Sequence, residues 1–369
     1  MEFDMILMVT QCFPPNMGGI EKVMSELASL LNTENTVEVI TKNTKGAENW
    51  DTKQVFPIIR IDGNKFFRQW RIRKLLKQKL KVSSVKILIT DSWKSARTIL
   101  PIAKKFKLPI ISLAHGNDVL TKNKTFRKNK ITHTLKECQH VVAVSDTTKE
   151  MVLSLGISHC ATIHNGINID AYLNTDKKIC FKAPQLLTVA RLEPRKGQDR
   201  IIQTLPDLVK HYPKIHYHIA GNGQYEAQLK LLAETLNVSE HVTFHGYVND
   251  EQKKALLCQA DLFVMPVRHD KHTHSIEGFG ISLVEAQLAG LPVLTGRSGG
   301  VSDVVTHKKT GFNCDGDDTS AVLNGILEIL DDTDLALTCA KKGQQNAQEK
   351  FSHQFMIKQY QKLINQITI

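Results

Sequence analysis

The sequence predicts an α/β protein with two doubly wound domains, each built around a parallel β-sheet. Strand-like runs alternate with amphipathic helical stretches along the whole chain, which is the order that such sheets require. Most of these runs are continuous Val, Ile and Leu segments, as in parallel strands covered on both faces. Residues 170–184 interrupt the alternation with a polar, aperiodic stretch. We therefore expect one domain over residues 1–170 and a second over residues 171–351.

Individual elements follow from the same patterns. In the first predicted domain, strands are expected at residues 5–10, 36–41, 86–90, 110–114 and 140–144. In the second, strands are expected at residues 185–190, 216–220, 242–245, 262–265 and 292–295. Helical periodicity indicates helices at residues 19–31, 225–236, 250–258 and 352–369. Because parallel sheets bind ligands at the carboxyl ends of their strands, the loops that follow these strands are where chemistry is expected.

The charge of the chain is unevenly distributed. Residues 1–170 contain 26 Lys and Arg against 15 Asp and Glu, whereas residues 171–369 contain 22 of each. A strongly basic first half predicts an anionic surface as its partner. The seven cysteines are dispersed and form no CxxC pair, which favours a reducing compartment over a zinc site or a disulfide framework. No run reaches the roughly 18 apolar residues of a membrane-spanning helix.

Two motifs of the first half follow strand-like runs. Gly18 and Gly19 open a helix after the first run, so backbone N–H groups there could face a phosphate or a sugar. A tight strand-to-helix turn is the simpler interpretation of this pair. His115 and Gly116 follow the run at residues 110–114. A histidine at that position can point into a binding cleft, and the alternative is a structural histidine.

Two more motifs follow strand-like runs of the second half. Arg191 and Lys196, with Gly197 beside the lysine, suit a diphosphate, because arginine is a bidentate donor and lysine a mobile point charge. The alternative is a solvated basic turn. In the sequence HGYV, which ends at Val248, the backbone could offer hydrogen bonds to a nucleobase.

The segment SIEGFGISLVEAQLAGLPVLTG, residues 275–296, carries Glu277 and Glu285 on either side of a glycine turn. The turn precedes a helix, so its free N–H groups can bind hydroxyls or phosphate. Carboxylates accept pairs of hydrogen bonds, so the two glutamates could hold a sugar and a ribose. The helix dipole would explain one glutamate in a first turn but not both.

A cluster of three histidines, His269, His272 and His274, precedes this segment. Close histidines suggest a metal, but no carboxylate or cysteine completes a ligand set with suitable spacing. A loop that lines a cleft is the preferred interpretation, and no metal is expected.

As a set, these motifs resemble those of the retaining glycosyltransferases of family 4, also called group 1. The spacing of Glu277 and Glu285 is similar to the E-x7-E signature of that family, and VARLEPRKGQD is similar to its donor-diphosphate motif. Other positions that match the family pattern are Gly18-Gly19, His115-Gly116, Asn165-Gly166-Ile167 and Ser298-Gly299-Gly300-Val301. Asn168 departs from it, since the family usually has Asp there. Within the family, the phosphatidylinositol mannosyltransferases are the most similar, through RLEPRKGQD, MPVR and EGFGISLVEAQLAGLPVLTG.

The resemblance implies a GT-B fold, in which two Rossmann-like domains face each other across a cleft and the last helix, 352–369, crosses back to the first. It implies that the first domain binds the acceptor and the second a nucleotide sugar, without a metal or another cofactor. Arg191 and Lys196 would neutralise the donor diphosphate, and Glu285 would bind the ribose. The transferred sugar and its phosphate would contact Gly19, His115, Glu277, Gly278, Phe279 and Gly280.

The likeness to mannosyltransferases favours GDP-mannose as donor over UDP-glucose and UDP-N-acetylglucosamine. The acceptor would be a lipid-linked or cell-envelope glycan, such as a lipopolysaccharide core, at the cytoplasmic face of a membrane. A sugar phosphorylase, a nucleotide-sugar epimerase and a non-catalytic scaffold of a polysaccharide assembly complex are the alternatives. Nucleic acid is not an expected partner, because the basic half contains no recognisable aromatic or helix-turn-helix module.

The stretch FFRQWRIRKLLKQKLK, residues 66–81, gives the basic half a candidate membrane contact. Ile72, Leu76 and Leu80 form an apolar stripe that would seat a helix on the domain. Phe67 and Leu75 lie among the basic residues and could enter a membrane interface. Those basic residues are Arg68, Arg71, Lys74, Lys79 and Lys81. The alternative is a solvated basic helix, because Arg73 and Lys77 lie beside the apolar stripe.

Overall fold

A computed structural model describes residues 5–121, 125–172, 179–270 and 272–368. The chain divides into two compact units. The first combines Met1–Gly166 with His353–Ile369, and the second is Ile167–Ser352. The boundary predicted from the sequence lies after residue 170. Residues 173–178, part of the polar stretch on which that boundary rested, lie outside the described residues.

The first unit contains a parallel sheet of seven strands. They are β1 Met5–Val9, β2 Thr36–Lys42, β3 Ile58–Ile61, β4 Val85–Thr90, β5 Ile110–Ala114, β6 His140–Ala143 and β7 Cys160–Thr162. Their order is β3-β2-β1-β4-β5-β6-β7, and it reverses between β1 and β4, the position at which doubly wound sheets bind ligands. The helices between the strands are α1 Gly19–Leu31, α2 Ala47–Asp51, α3 Lys65–Val82, α4 Trp93–Phe106, α5 Thr125–Lys136 and α6 Asp146–Ser154.

The second unit repeats this plan with six parallel strands. They are β8 Gln185–Val189, β9 His216–Ala220, β10 Val242–Gly246, β11 Leu262–Met265, β12 Val293–Thr295 and β13 Phe312–Asn313. Their order is β10-β9-β8-β11-β12-β13. The helices are α7 Gln198–His211, α8 Glu226–Thr235, α9 Asp250–Gln259, α10 Ile281–Leu288, α11 Thr319–Asp331 and α12 Thr333–Lys350.

The last helix, α13 His353–Thr368, packs on the first unit. Its Met356 and Tyr360 are buried in the same hydrophobic layer as Ile6 and Met8 of β1. Leu7 and Val9, which alternate with them along β1, belong to the layer on the other face of the sheet. Successive side chains of a strand point to opposite faces.

The predicted α/β class, with two parallel sheets, is confirmed. All ten predicted strands are present, with small differences at their ends. Three strands were not predicted: β3, β7 and β13. Each of them forms the edge of its sheet and has two to four residues.

Helix α3 covers the basic stretch of the first unit. Ile72 and Leu76 are buried, and Leu80 packs against the same core, as predicted. Leu75 also packs there, so its predicted place at a membrane interface is wrong. Lys79 lies 2.7 Å from the buried Glu38, so this lysine binds the protein itself. No helix in the described part of the chain has both the length and the apolar character needed to cross a bilayer.

Candidate functional site

The turn that carries Lys196 is fixed by close backbone packing. After β8, Pro194–Lys196 form one 3-10 turn, and Gly197, with a φ of 79°, leads into α7. A Cβ on Gly197 would lie 2.3 Å from the carbonyl oxygen of Pro266, in the loop after β11. Only glycine therefore allows the turn and this loop to lie so close together.

Glu277, directly before the glycine turn of α10, binds two cations. Nζ of Lys196 lies 2.5 Å from Oε2 of Glu277, and Nη1 of Arg195 donates to the same oxygen. Nε of Arg195 also donates to Glu193, at 2.8 Å. Arg195 and Lys196 are only 6% and 8% exposed, so water weakens these interactions little.

The protonation of the cluster follows from burial and from these neighbours. Burial opposes the charge of Glu277, but the attraction of Lys196 and Arg195 outweighs it and lowers the pKa of Glu277 to about 2. Burial lowers the pKa of Lys196 from its ordinary value, and the attraction of Glu277 opposes that shift. Glu277 is therefore a carboxylate at neutral pH.

The Ser298-Gly299-Gly300 motif supports the backbone of Glu277. The N–H of Gly300 donates to the carbonyl oxygen of Glu277 at 2.9 Å. Gly299 has a φ of 83°, and a Cβ there would lie 2.1 Å from that oxygen. The two glycines therefore fix the position from which the Glu277 side chain reaches Lys196.

Arg191 does not join this cluster. Its guanidinium lies 3.3 Å from Oε1 of Glu193, and 68% of its side chain is exposed. The structure thus separates the two predicted diphosphate ligands into a buried lysine and an exposed arginine on one short segment.

The rest of the predicted donor site also lies in the second unit. Glu285, within α10, is 4% exposed and accepts from Nζ of Lys253 in α9 at 2.7 Å. Val248 lies in the loop between β10 and α9. In the glycine turn from Gly278 to Gly280, the ring of Phe279 packs on Phe351 with centroids 5.4 Å apart, so this turn can offer a ligand only its backbone groups.

A second buried ion pair holds the turn of Lys196 in place. Arg268, after β11, donates through Nη1 and Nη2 to the two carboxylate oxygens of Asp199, at 2.9 and 2.7 Å. Its backbone N–H donates to the carbonyl oxygen of Arg195 at 3.0 Å. Arg268 therefore ties the first turn of α7 and the Arg195 backbone to the end of β11.

The remaining predicted residues belong to the first unit. Gly18 is the N-cap of α1 and Gly19 its first residue. His115 follows β5, and its backbone N–H donates to Oδ1 of Asp118 at 2.8 Å. Within the described ranges, the buried ring Nε2 of His115 has no hydrogen-bond partner. Burial raises the pKa of Asp118, against the attraction of His115.

The histidine loop before Glu277 does not assemble a metal site. The rings of His269 and His274 lie 6.2 Å apart, and Asp270 caps its own loop by accepting from the backbone of His272 and Thr273. Across the residues that the structure describes, no group of three His, Cys, Asp or Glu side chains is placed to hold a metal ion.

Three buried cations were missed in the sequence analysis: Arg195, Lys253 and Arg268. Each lies close to a motif or a strand end, but a basic residue in a loop or on a polar helix is usually solvated. Their partners, Glu277, Glu285 and Asp199, are 32 to 82 residues away, so local sequence carries no signal of the pairing.

Comparisons with known proteins support the same family. A model of glycosyl transferases group 1 matches residues 174–346, and a model of glycosyltransferase family 4 matches residues 17–171. A GDP-mannose-dependent alpha-(1-6)-phosphatidylinositol monomannoside mannosyltransferase from Mycolicibacterium smegmatis is 27% identical over 341 residues, 89% of each chain.

Solved structures show the same fold. Alr3699/HepE of Anabaena in complex with UDP superposes with a TM-score of 0.82, at 19% identity, over 98% of this chain and 99% of that one. A glycosyltransferase from Rickettsia africae gives a TM-score of 0.84, at 21% identity, over 100% and 99%. With both family models matched and the two parallel-sheet units in place, the chain belongs to the group 1 glycosyltransferases of family 4, which have the GT-B fold.

Proposed function

We propose that this glycosyltransferase moves mannose from GDP-mannose to a lipid-linked or cell-envelope glycan acceptor, such as a lipopolysaccharide core, with retention of configuration. The observation that carries the proposal is the buried cluster in which Arg195 and Lys196, before α7, bind Glu277, before α10. The choice of mannose rests on the mannosyltransferase from Mycolicibacterium smegmatis, which is named as GDP-mannose-dependent.

The cluster suits a diphosphate leaving group. Arg195 and Lys196 balance the carboxylates of Glu193 and Glu277, and the exposed Arg191 beside Glu193 adds one positive charge. When the bond between the sugar and the diphosphate breaks, negative charge grows on the phosphate oxygens. Fixed cations in a site of low water content stabilise that charge without reorganisation. Arg191, which is exposed, and Lys196 are assigned to the diphosphate, and this role needs no metal.

The sugar and the nucleoside are assigned to the remaining predicted residues. The N–H groups of Gly278, Phe279 and Gly280 suit a phosphate or sugar hydroxyls at the start of α10. Glu285 is assigned to the ribose, and the backbone at Val248 to the base. His115 is assigned to the transferred sugar, because its buried Nε2 would be satisfied by a hydroxyl. Gly18 and Gly19 are assigned to the phosphate.

Retention is proposed to proceed on one face of the sugar. The bond between the anomeric carbon and the diphosphate oxygen breaks, and the acceptor oxygen bonds to that carbon from the same side. The acceptor proton passes to the departing phosphate oxygen, so no protein nucleophile is required. Nuclear magnetic resonance of the product linkage tests this step, and a product of inverted configuration would exclude it.

Calorimetry with GDP and UDP tests the donor. We expect GDP to bind and GDP-mannose to support transfer to a lipid-linked acceptor, detected by mass spectrometry. Alr3699/HepE was solved with UDP, so UDP-glucose and UDP-N-acetylglucosamine are the comparison donors. Binding of UDP without binding of GDP would exclude GDP-mannose.

The first unit is proposed to dock on the anionic cytoplasmic face of a membrane through α3. Phe66, Phe67 and Trp70 in its first turns are 81%, 63% and 58% exposed. Arg68 and Arg71 bind the carbonyl oxygens just before the helix. Aromatic side chains beside cations are typical of helices at a membrane interface, and each basic residue near an anionic surface contributes about 1 kcal/mol.

Co-sedimentation with liposomes tests this docking. Binding is expected to require anionic lipid, to weaken with salt, and to fall when Arg68, Arg71 and Lys74 are changed to Glu, or Phe66, Phe67 and Trp70 to Ser. A matched control reverses three exposed or half-buried lysines of the second unit, Lys254, Lys341 and Lys342. Equal binding to neutral liposomes, or an equal loss in the control, would contradict the proposal.

A further inference from the structure

A buried ion pair joins α9 to α10. Nζ of Lys253 lies 2.7 Å from Oε1 of Glu285, and the two side chains are 11% and 5% exposed. Asp250, which is 78% exposed, lies 3.0 Å from the same nitrogen. Lys253 thus has one partner inside the protein and one at the surface.

Such a pair is not explained by stability alone. Moving two charges out of water is costly, and well-packed apolar residues of similar size often give equal or greater stability. The surroundings are suited to an apolar pair, because Leu256 and Leu257 of α9, and Leu283, Val284, Ala286 and Leu288 of α10, are all buried. A charged pair in this place therefore points to a role in ligand recognition.

The ion pair fixes the orientation of Glu285. A carboxylate offers about four acceptor positions on its two oxygens, and Lys253 contacts Oε1. The ammonium also balances the charge of a carboxylate that is nearly withdrawn from water. Lys253 thereby holds Oε1 of Glu285 in one orientation.

We propose that Lys253 is the positioning residue of the ribose subsite: it orients Glu285 so that this carboxylate accepts the 2′- and 3′-hydroxyls of the donor nucleotide. The inference rests on the proposed function, in which Glu285 binds the ribose. It adds that the discrimination between ribose and a sugar without hydroxyls depends on a residue of α9 that contacts Glu285.

The test compares GDP with 2′,3′-dideoxy-GDP by calorimetry, with UDP and 2′,3′-dideoxy-UDP as a second pair. The unsubstituted protein is expected to prefer the ribonucleotide by about tenfold or more, since hydrogen bonds to a charged group are among the stronger ones. In Lys253→Met this preference is expected to fall to about twofold, while the affinity for the dideoxynucleotide stays unchanged. That readout separates positioning from a general loss of structure, which would weaken both nucleotides equally.

Two further variants complete the design. Lys230→Met removes an exposed lysine that pairs with Glu226 within α8 and is expected to leave the preference unchanged. Lys253→Gln replaces the methionine variant if the latter does not fold, with the same expected loss. A preference that persists in the Lys253 variants, or affinities for both nucleotides that fall together, would overturn the inference. If the unsubstituted protein binds neither GDP nor UDP, the proposed function fails as well.

Discussion

Lys196 and Glu277 are 81 residues apart in sequence, yet their side chains meet at 2.5 Å. The same carboxylate oxygen of Glu277 accepts from Arg195. Two buried cations therefore share one buried anion, and removing a cation is not equivalent to removing the anion. We therefore expect substitutions of the cations and substitutions of Glu277 to differ in their effects on transfer and on stability.

Replacing either predicted diphosphate ligand is expected to impair transfer. Lys196→Ala and Arg191→Ala should each lower turnover by about 10²–10³, because each removes a charge that would meet a developing oxyanion. Arg191→Ala should do so without loss of stability, since its side chain is 68% exposed. Initial rates and urea unfolding check both variants.

Lys210→Ala is the control for this pair of variants. Lys210 also forms an ion pair after β8, with Asp207 in α7, but 72% of its side chain is exposed. Its turnover and stability should be unchanged. A folded Lys196→Ala protein with normal turnover would refute the assignment of the diphosphate site.

The stability of the cluster should depend on which member is lost. Glu277→Gln leaves Lys196 buried without a balancing charge and Arg195 with Glu193 alone, and a loss of about 3–5 kcal/mol is expected. Lys196→Ala leaves Glu277 paired with Arg195, so its loss should be smaller. In a Glu277→Gln background, Lys196→Ala should cost less than in the unsubstituted protein, or even stabilise, because it removes the uncompensated cation.

Chemical denaturation of the four proteins of this cycle measures the coupling. Equal losses for Glu277→Gln and Lys196→Ala, with additive effects in the double variant, would show that the three side chains do not interact as the structure indicates.

Gly299→Ala should be destabilising by about 2 kcal/mol or more. The substitution combines a left-handed backbone conformation with a Cβ that would lie 2.1 Å from the carbonyl oxygen of Glu277. Gly46→Ala is the matched control, because Gly46 has a similar φ of 80°. The nearest atom to a Cβ added there is Cγ of Pro15, at 4.0 Å. The difference between the two thermal shifts isolates the contact with Glu277, and equal shifts would argue against it.

The free energy of unfolding should fall between about pH 6.5 and pH 4 because of His218 on β9. Its ring lies between those of His216 and His245. Burial and the neighbouring His216 and His245 lower the pKa of His218 to about 4. In this range the unfolded chain binds a proton at this position that the folded chain does not. Stability is therefore complete above pH 6.5 and declines as the pH falls towards 4.

Urea unfolding at several pH values checks this sign. His218→Gln should flatten the decline, whereas His211→Gln, at an exposed position of α7, should leave it unchanged. A decline of the same size in both variants would place its origin elsewhere.

The strongly patterned parts of the fold could be predicted from sequence. Helix α1 has the predicted bounds, because Val23, Met24, Leu27, Ala28 and Leu31 recur at helical spacing and are buried. Edge strands such as β13, with two residues, carry too little pattern. At the site, Lys196 and Glu277 were selected as parts of separate motifs, but their contact depends on how β8 and α10 pack. Arg195 could not be told from a solvated arginine, since burial is a property of the folded unit.

The position of α13 sets the order in which the two units are completed during synthesis. The second unit is one continuous segment, Ile167–Ser352, and is synthesised in full before the last helix. Until then the first unit lacks Met356 and Tyr360, and its layer around Ile6 and Met8 stays open to water. The unit whose synthesis starts first is thus the last that can close. Released chains that end at residue 352 should accordingly show a protease-resistant second unit and a digestible first one.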